Sequence, residues 1–250
     1  MNDTFINFES YKGAESKTYF YEIQTQLQKL DSMVNTSYSA PLLETSTNTP
    51  VFLIGFPKSG TTLLDTILRS HSNIEVVEEQ DMVAKTQHYL GNTMSLADIE
   101  KLTTKELAKH VSNAGSSCIV DKFPLNIFDV PIIHKLFPRA KFILALRYPL
   151  ELSEKHYALD IHRIRYEDLV LDMKSEVSNL LRFLELDWEN ALEDYQQTAL
   201  KRSTISTLSY SQVVEPIYKT ASYRWIKYQQ FVEKYFVKID KWATKFGYTL

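Results

Sequence analysis

Val51-Phe52-Leu53-Ile54, Gly55-Phe56-Pro57-Lys58-Ser59-Gly60-Thr61-Thr62, Leu63-Leu64: here an apolar run gives way to a glycine-bracketed turn and then to a helical pattern. Four consecutive apolar residues suit a strand buried on both faces. Leu63, Leu64, Ile67 and Leu68 recur at helical spacing over residues 62–70. The order is therefore strand, loop, helix. The first amides of a helix have no intrahelical acceptor, and the helix dipole favours an anion beside them. Gly55 and Gly60 let the backbone approach a ligand closely. Lys58 adds a cation, and Ser59, Thr61 and Thr62 add hydroxyl donors. The loop is predicted to cradle a phosphate through Lys58, Ser59, Gly60, Thr61 and Thr62. It departs from the nucleoside-triphosphate pattern G-x-x-x-x-G-K-[ST], because Thr61 occupies the lysine place and Lys58 stands earlier in the loop. That shift favours a donor with a different terminal group.

Working outward, residues 117–120 form a second apolar run ending at Asp121-Lys122, and residues 142–146 a third ending at Arg147. A fourth candidate, residues 161–164, is short and mixed. Helical patterns cover residues 96–111, residues 126–136 and the set Val177, Leu180, Leu181 and Leu184. Strands alternating with helices predict an α/β fold: a P-loop-like central parallel sheet flanked by helices. Upstream, Tyr19, Ile23, Leu27, Leu30 and Val34 make one helical stripe, followed by a Ser-, Thr-, Asn- and Pro-containing linker. The expected organisation is a short N-terminal helical arm with its linker, residues 1–49, and a main domain, residues 50–250. Residues 228–242 carry an amphipathic helical pattern, and there is no internal repeat.

Composition narrows the function classes. The 250 residues carry 28 basic and 31 acidic side chains, a net charge of −3, which argues against general nucleic-acid binding. No apolar run approaches the ~20 residues that span a bilayer. The opening MNDTFINFES has no basic region followed by an apolar stretch, so a cytoplasmic protein is expected. The single cysteine, Cys118, sits in an apolar run and reads as a buried inert thiol.

PVFLIGFPKSGTTLLDTILRSHSNI, with P-K-S-G-T-T after an apolar strand, resembles the 5′-phosphosulfate loop of the sulfotransferase superfamily. DKFP at residues 121–124, LFPRAKFILALRYPLE at 136–151, RYEDLVLD at 165–172 and QVVEPIYKTASYRWIKY at 212–228 agree in order and character. The nearest subgroup is the bacterial sulfotransferases related to tyrosylprotein sulfotransferases. The resemblance implies 3′-phosphoadenosine 5′-phosphosulfate as donor, 3′,5′-adenosine bisphosphate as product, and no metal. It implies a sulfonucleotide partner and leaves the acceptor open among tyrosyl peptides, carbohydrates and small metabolites.

The resemblance also assigns roles. A Glu-Glu pair read alone is a solvated loop; the subgroup's catalytic glutamate falls on Glu79, which makes it the expected general base. Glu78, His71 and His88 are the alternatives. On an extended segment neighbouring side chains point opposite ways, so Glu78 is expected to face away from the site of Glu79. Lys122 ends a strand and should enter the cleft outside the carboxyl ends of a parallel sheet. By resemblance it contacts the bridging oxygen or the leaving 5′-phosphate, so Glu79 and Lys122 form the expected catalytic pair. Arg147 offers a fork-shaped donor suited to a phosphate monoester, and the family uses this arginine for the 3′-phosphate. The family's serine follows that arginine by eight residues, where Lys155 stands here; Ser153 is the nearby hydroxyl. Lys219 and Arg224 fall in a second 3′-phosphate element, with Ser209 and Ser222 as further hydroxyls. Trp225 suits adenine packing or the core equally. Arg165, Glu167 and Asp168 read as mainly structural, at a helix start. Between Arg147 and Arg165 the chain is much shorter than is common in the family: either the acceptor-facing region is truncated or a segment is missing there, which leaves acceptor specificity open. Two other readings are a P-loop nucleotide kinase with Asp121 as a Mg²⁺ ligand, and a non-catalytic nucleotide-binding homologue.

Overall fold

The computed structural model describes residues 49–56, 59–80, 82–83, 85, 101–102, 104–106, 109–111, 116–147, 159–201, 213–214 and 217. All lie in the unit spanning residues 42–250; residues 1–48 of the expected arm and the helical pattern at 228–242 lie outside them.

Five strands form one parallel sheet: β1 (Val51–Gly55), β2 (Ile74–Glu78), β3 (Cys118–Lys122), β4 (Lys141–Leu146) and β5 (Asp160–Arg165), in the order β2-β3-β1-β4-β5. The parallel sheet expected from the alternating pattern is present, and β1 sits at its centre. The apolar run of β1 splits by strand alternation. Val51 and Leu53 enter a core with Leu64, Ile67 and Leu68 of α1 (Thr61–Leu68) and Val177, Leu180 and Leu181 of α4 (Met173–Leu184). Phe52 and Ile54 face the other way, onto Val130, Ile133 and Leu136 of α2 (Val130–Leu136). There Phe52 stacks on Phe142 of β4, ring centroids 5.7 Å apart. Helices therefore cover both faces, as buried parallel strands require.

Two elements differ from expectation, and a third, the strand candidate at 161–164, is borne out but longer. Residues 74–78 form β2, although Ile74-Glu75-Val76-Val77-Glu78 is too short and too acidic to declare itself; pairing with β3 along its length creates the strand. The mixed run at 160–165 is a full edge strand paired with β4. The helix expected over residues 126–136 is broken into a 3-10 turn, Pro124–Phe128, and α2. Pro131 explains the break: it lacks an N–H, and its ring would clash with the carbonyl four residues earlier in a continuous helix. The described residues of the 96–111 pattern include helical turns at 101–102 and 104–106. After β5 come α3 (Tyr166–Leu171), α4 and α5 (Tyr195–Lys201). Asp172 caps α4, its Oδ1 accepting from the Ser175 amide at 3.0 Å.

Candidate active site

The carboxyl ends of the five strands share one edge of the sheet, the place where open α/β folds bind ligands. At its centre the chain leaves β1 through Gly55 and enters α1 at Gly60. The Ser59 amide donates to the Phe56 carbonyl at 3.0 Å, and the Leu64 amide donates to the Gly60 carbonyl at 3.1 Å. Both glycines are sterically required. A Cβ on Gly55 would stand 2.7 Å from the Ala145 carbonyl oxygen and 2.8 Å from Ser59 Oγ. Gly60 has φ +92°, in the left-handed region, and a Cβ there would stand 2.6 Å from a ring carbon of Tyr166. Gly60 is the N-cap of α1 and brings no side chain to its first amides. Ser59, Thr61 and Thr62 are buried, and Ser59 Oγ has no hydrogen-bond partner among the described residues. A buried unsatisfied hydroxyl is costly unless a ligand completes it. Lys58 lies outside the described residues.

On one side of the loop, β3 carries Lys122, whose side chain is buried. Its Nζ lies 2.7 Å from Glu79 Oε1 and 3.2 Å from Glu78 Oε1. The expectation that Glu78 faces away is overturned. Glu78 pairs in register with Lys122 across β2 and β3, so both side chains lie on one face of the sheet. Glu79 continues the ladder by one bond, its amide donating to the Lys122 carbonyl at 2.8 Å. It then turns at φ +48°. That left-handed residue ends the alternation, so two sequence neighbours reach one ammonium. A non-glycine residue there costs roughly 1–3 kcal/mol, a strain that clusters at functional sites.

On the other side, Arg147 follows β4, and its guanidinium lies over the Tyr166 ring, 4.3 Å from Cζ to the centroid. In the sequence R-Y-E-D-L-V only the charges stand out, and nothing along the chain marks the Tyr166 ring as the partner of Arg147. Its charged neighbours do behave structurally: Arg165 pairs with Asp168 at 3.2 Å, and Glu167 is buried in the first turn of α3.

Across the edge the order is thus Glu78 on β2 with Glu79 just past it, Lys122 on β3, the loop after β1, and Arg147 after β4. Three strand spacings of ~4.8 Å put the two ends of this row about 14 Å apart. Ser153, Lys219, Arg224, His88, Ser209, Ser222 and Trp225 lie outside the described residues. His71 is not a base at this edge. It sits before β2, its Nε2 2.8 Å from the Asp187 carbonyl oxygen and its Nδ1 accepting from the Asn73 amide at 3.1 Å. Both nitrogens hold the fold. Asp121 does not suit the Mg²⁺ role. It alternates away from Lys122 on β3, is buried, and receives the Asn126 amide nitrogen at 3.2 Å on one oxygen. Burial pushes its carboxyl up to about 8, which favours the protonated form that hard cations bind poorly. No cluster of three or more metal-ligating side chains occurs among the described residues. Burial likewise pushes the Cys118 thiol up to about 11, in keeping with an inert core cysteine.

Residues 50–155 match the Sulfotransferase family and residues 149–246 match the Sulfotransferase domain. The chain belongs to the sulfotransferase superfamily. An uncharacterized protein of Aquifex aeolicus is 24% identical over 73% of this chain and 31% of its own length. Protein-tyrosine sulfotransferase 1 of Danio rerio is 23% identical over 81% of this chain and 73% of its own. The chain therefore spans about a third of the Aquifex relative. In fold it is similar to the sulfotransferase domain of the Synechococcus PCC 7002 olefin synthase, with TM-score 0.52 and 17% identity over 76% of this chain and 91% of that one. No helix among the described residues is long and apolar enough to cross a membrane.

Proposed function

We propose that this sulfotransferase moves the sulfuryl group of 3′-phosphoadenosine 5′-phosphosulfate to an acceptor hydroxyl or amine, with Glu79 as general base. A bond forms between the acceptor atom and sulfur while the sulfur–oxygen bond to the 5′-phosphate breaks. The acceptor proton goes to Glu79, and 3′,5′-adenosine bisphosphate leaves. Such transfers depend mainly on positioning and charge stabilisation. The observation that carries this reading is the ion pair of Lys122 with Glu79 on the strands beside the loop. It joins a proton acceptor to a cation fit to neutralise the leaving phosphate.

The residues fit the donor. The uncapped amides of α1, the unsatisfied Ser59 hydroxyl and the two obligatory glycines suit the 5′-phosphosulfate. Arg147, beyond the loop on β4, suits the 3′-phosphate. Lys58, Ser153, Lys219 and Arg224 are proposed to complete the donor site. The kinase reading is not favoured by the family matches or by the protonated, averted Asp121. The name of the Danio rerio relative makes tyrosyl peptides the first acceptors to try.

Thermal unfolding tests the donor. Stabilisation by 3′,5′-adenosine bisphosphate without Mg²⁺ is expected; stabilisation by ATP only when Mg²⁺ is present would reject the sulfonucleotide. Transfer from the donor to a panel of tyrosyl peptides, glycans and phenols then tests the reaction.

A further inference from the structure

We infer that Glu78 is a positioning residue of the transfer: it is the fixed counter-ion that holds the Lys122 ammonium in place while Glu79 changes charge. The inference rests on the proposed sulfuryl transfer and deepens it.

The two glutamates are not equivalent. Glu78 lies within β2, in register with Lys122, and its side chain is 10% exposed. Glu79 lies past the strand end, on a left-handed residue, and its side chain is 38% exposed. The Lys122 side chain between them is 1% exposed. The deeper carboxylate is thus locked to the sheet, and the shallower one meets solvent and any acceptor. An ammonium has three N–H donors. Two are directed to Glu78 and Glu79, which leaves a third for the oxygen that departs with the 5′-phosphate.

Charge bookkeeping gives Glu78 its task. Before transfer the cluster holds one cation and two carboxylates. When Glu79 takes the acceptor proton it becomes neutral, and its hold on Lys122 weakens. With Glu78 absent, the buried ammonium would keep no charged partner in the protein once Glu79 is neutral, and only the leaving oxygen would fix its position. With Glu78 present, the ammonium keeps a charged partner on the sheet throughout. Its direction toward the leaving oxygen is then set by two strands rather than by a flexible side chain. Glu78 itself touches neither donor nor acceptor in this account; it acts through Lys122.

A double-mutant cycle tests this, with kcat measured on the acceptor panel and affinity measured for 3′,5′-adenosine bisphosphate. Glu78→Gln keeps the shape and removes the charge. It is expected to lower kcat at least tenfold while changing the bisphosphate Kd less than threefold. Glu78→Asp, less similar in shape but still charged, is expected to retain more activity than Glu78→Gln. In a Lys122→Ala background Glu78→Gln is expected to lower kcat less than twofold further, because its effect passes through the lysine. Bisphosphate binding shows that each variant is folded. Wild-type turnover by Glu78→Gln, a greater loss in Glu78→Asp than in Glu78→Gln, or equal losses in both backgrounds would overturn the inference alone, provided Glu79→Gln is impaired. No transfer by the unaltered protein to any acceptor overturns the functional reading and this assignment with it.

Discussion

The Tyr166 ring occupies the space beside Gly60 that any side chain there would need: a Cβ on Gly60 would meet its Cδ2 at 2.6 Å. The residue that opens α1 is therefore limited to glycine twice over, by a left-handed backbone and by an aromatic ring that follows the edge strand β5. Gly60→Ala should lower stability by about 1–2 kcal/mol for the backbone alone, with the clash adding to it. It should also weaken bisphosphate binding, since the first turn must shift. Gly60→Ala in a Tyr166→Ala background should recover the steric part and keep the backbone part. Thermal unfolding of the four proteins separates the two; an unchanged melting temperature for Gly60→Ala would contradict both.

Arg147 should give the protein its preference for a 3′-phosphate. The unaltered chain should bind 3′,5′-adenosine bisphosphate more tightly than AMP, and Arg147→Ala should erase most of that difference. Tyr166→Leu removes the aromatic face under the guanidinium. A cation–π contact of about 0.5–2 kcal/mol corresponds to a loss of severalfold in the same preference. Calorimetric titration of both nucleotides against the three proteins decides it; equal affinity of the unaltered protein for the two would show that the site does not read a 3′-phosphate.

Glu79→Gln should reduce kcat by about 10²- to 10⁴-fold, the usual contribution of a general base, with bisphosphate affinity within about threefold of the parent. Loss of binding together with turnover would instead make Glu79 a support of the pocket.

Asp121 should make stability fall with rising pH. Its folded carboxyl sits at about 8, above the ~3.9 of an unfolded aspartate. Between these values the folded chain holds a proton that the unfolded chain has released. Its contribution is fully present below about pH 4 and is lost as pH rises through 8. Asp121→Asn keeps an oxygen for the Asn126 amide and cannot ionise. The gap between Asp121→Asn and the parent should widen in favour of the variant from pH 7 to 8.5, above the range of the histidines. Denaturant unfolding at several pH values measures it; parallel curves would show that Asp121 is ionised throughout.

Local sequence was enough for the centre of this protein. An unbroken apolar run, a loop between Gly55 and Gly60 and a helical stripe can bury their apolar surface in few other ways, because each signal arises from neighbours along the chain. The same held for β3 and β4, whose apolar runs end at Lys122 and Arg147. Acidic β2 was not legible, and mixed β5 only as a shorter candidate at 161–164, since ladder bonds to a neighbouring strand, rather than their own composition, make them strands. Pro131, which breaks the helix expected over residues 126–136, was visible but outweighed by the apolar spacing around it. The convergence of Glu78 and Glu79 on Lys122, and of Tyr166 on both Arg147 and Gly60, belongs to the tertiary structure alone. Residues 43 or 44 positions apart meet only because β2 and β3 pair in one register. Glu79 joins them because a single left-handed residue suspends the alternation that a strand would otherwise impose.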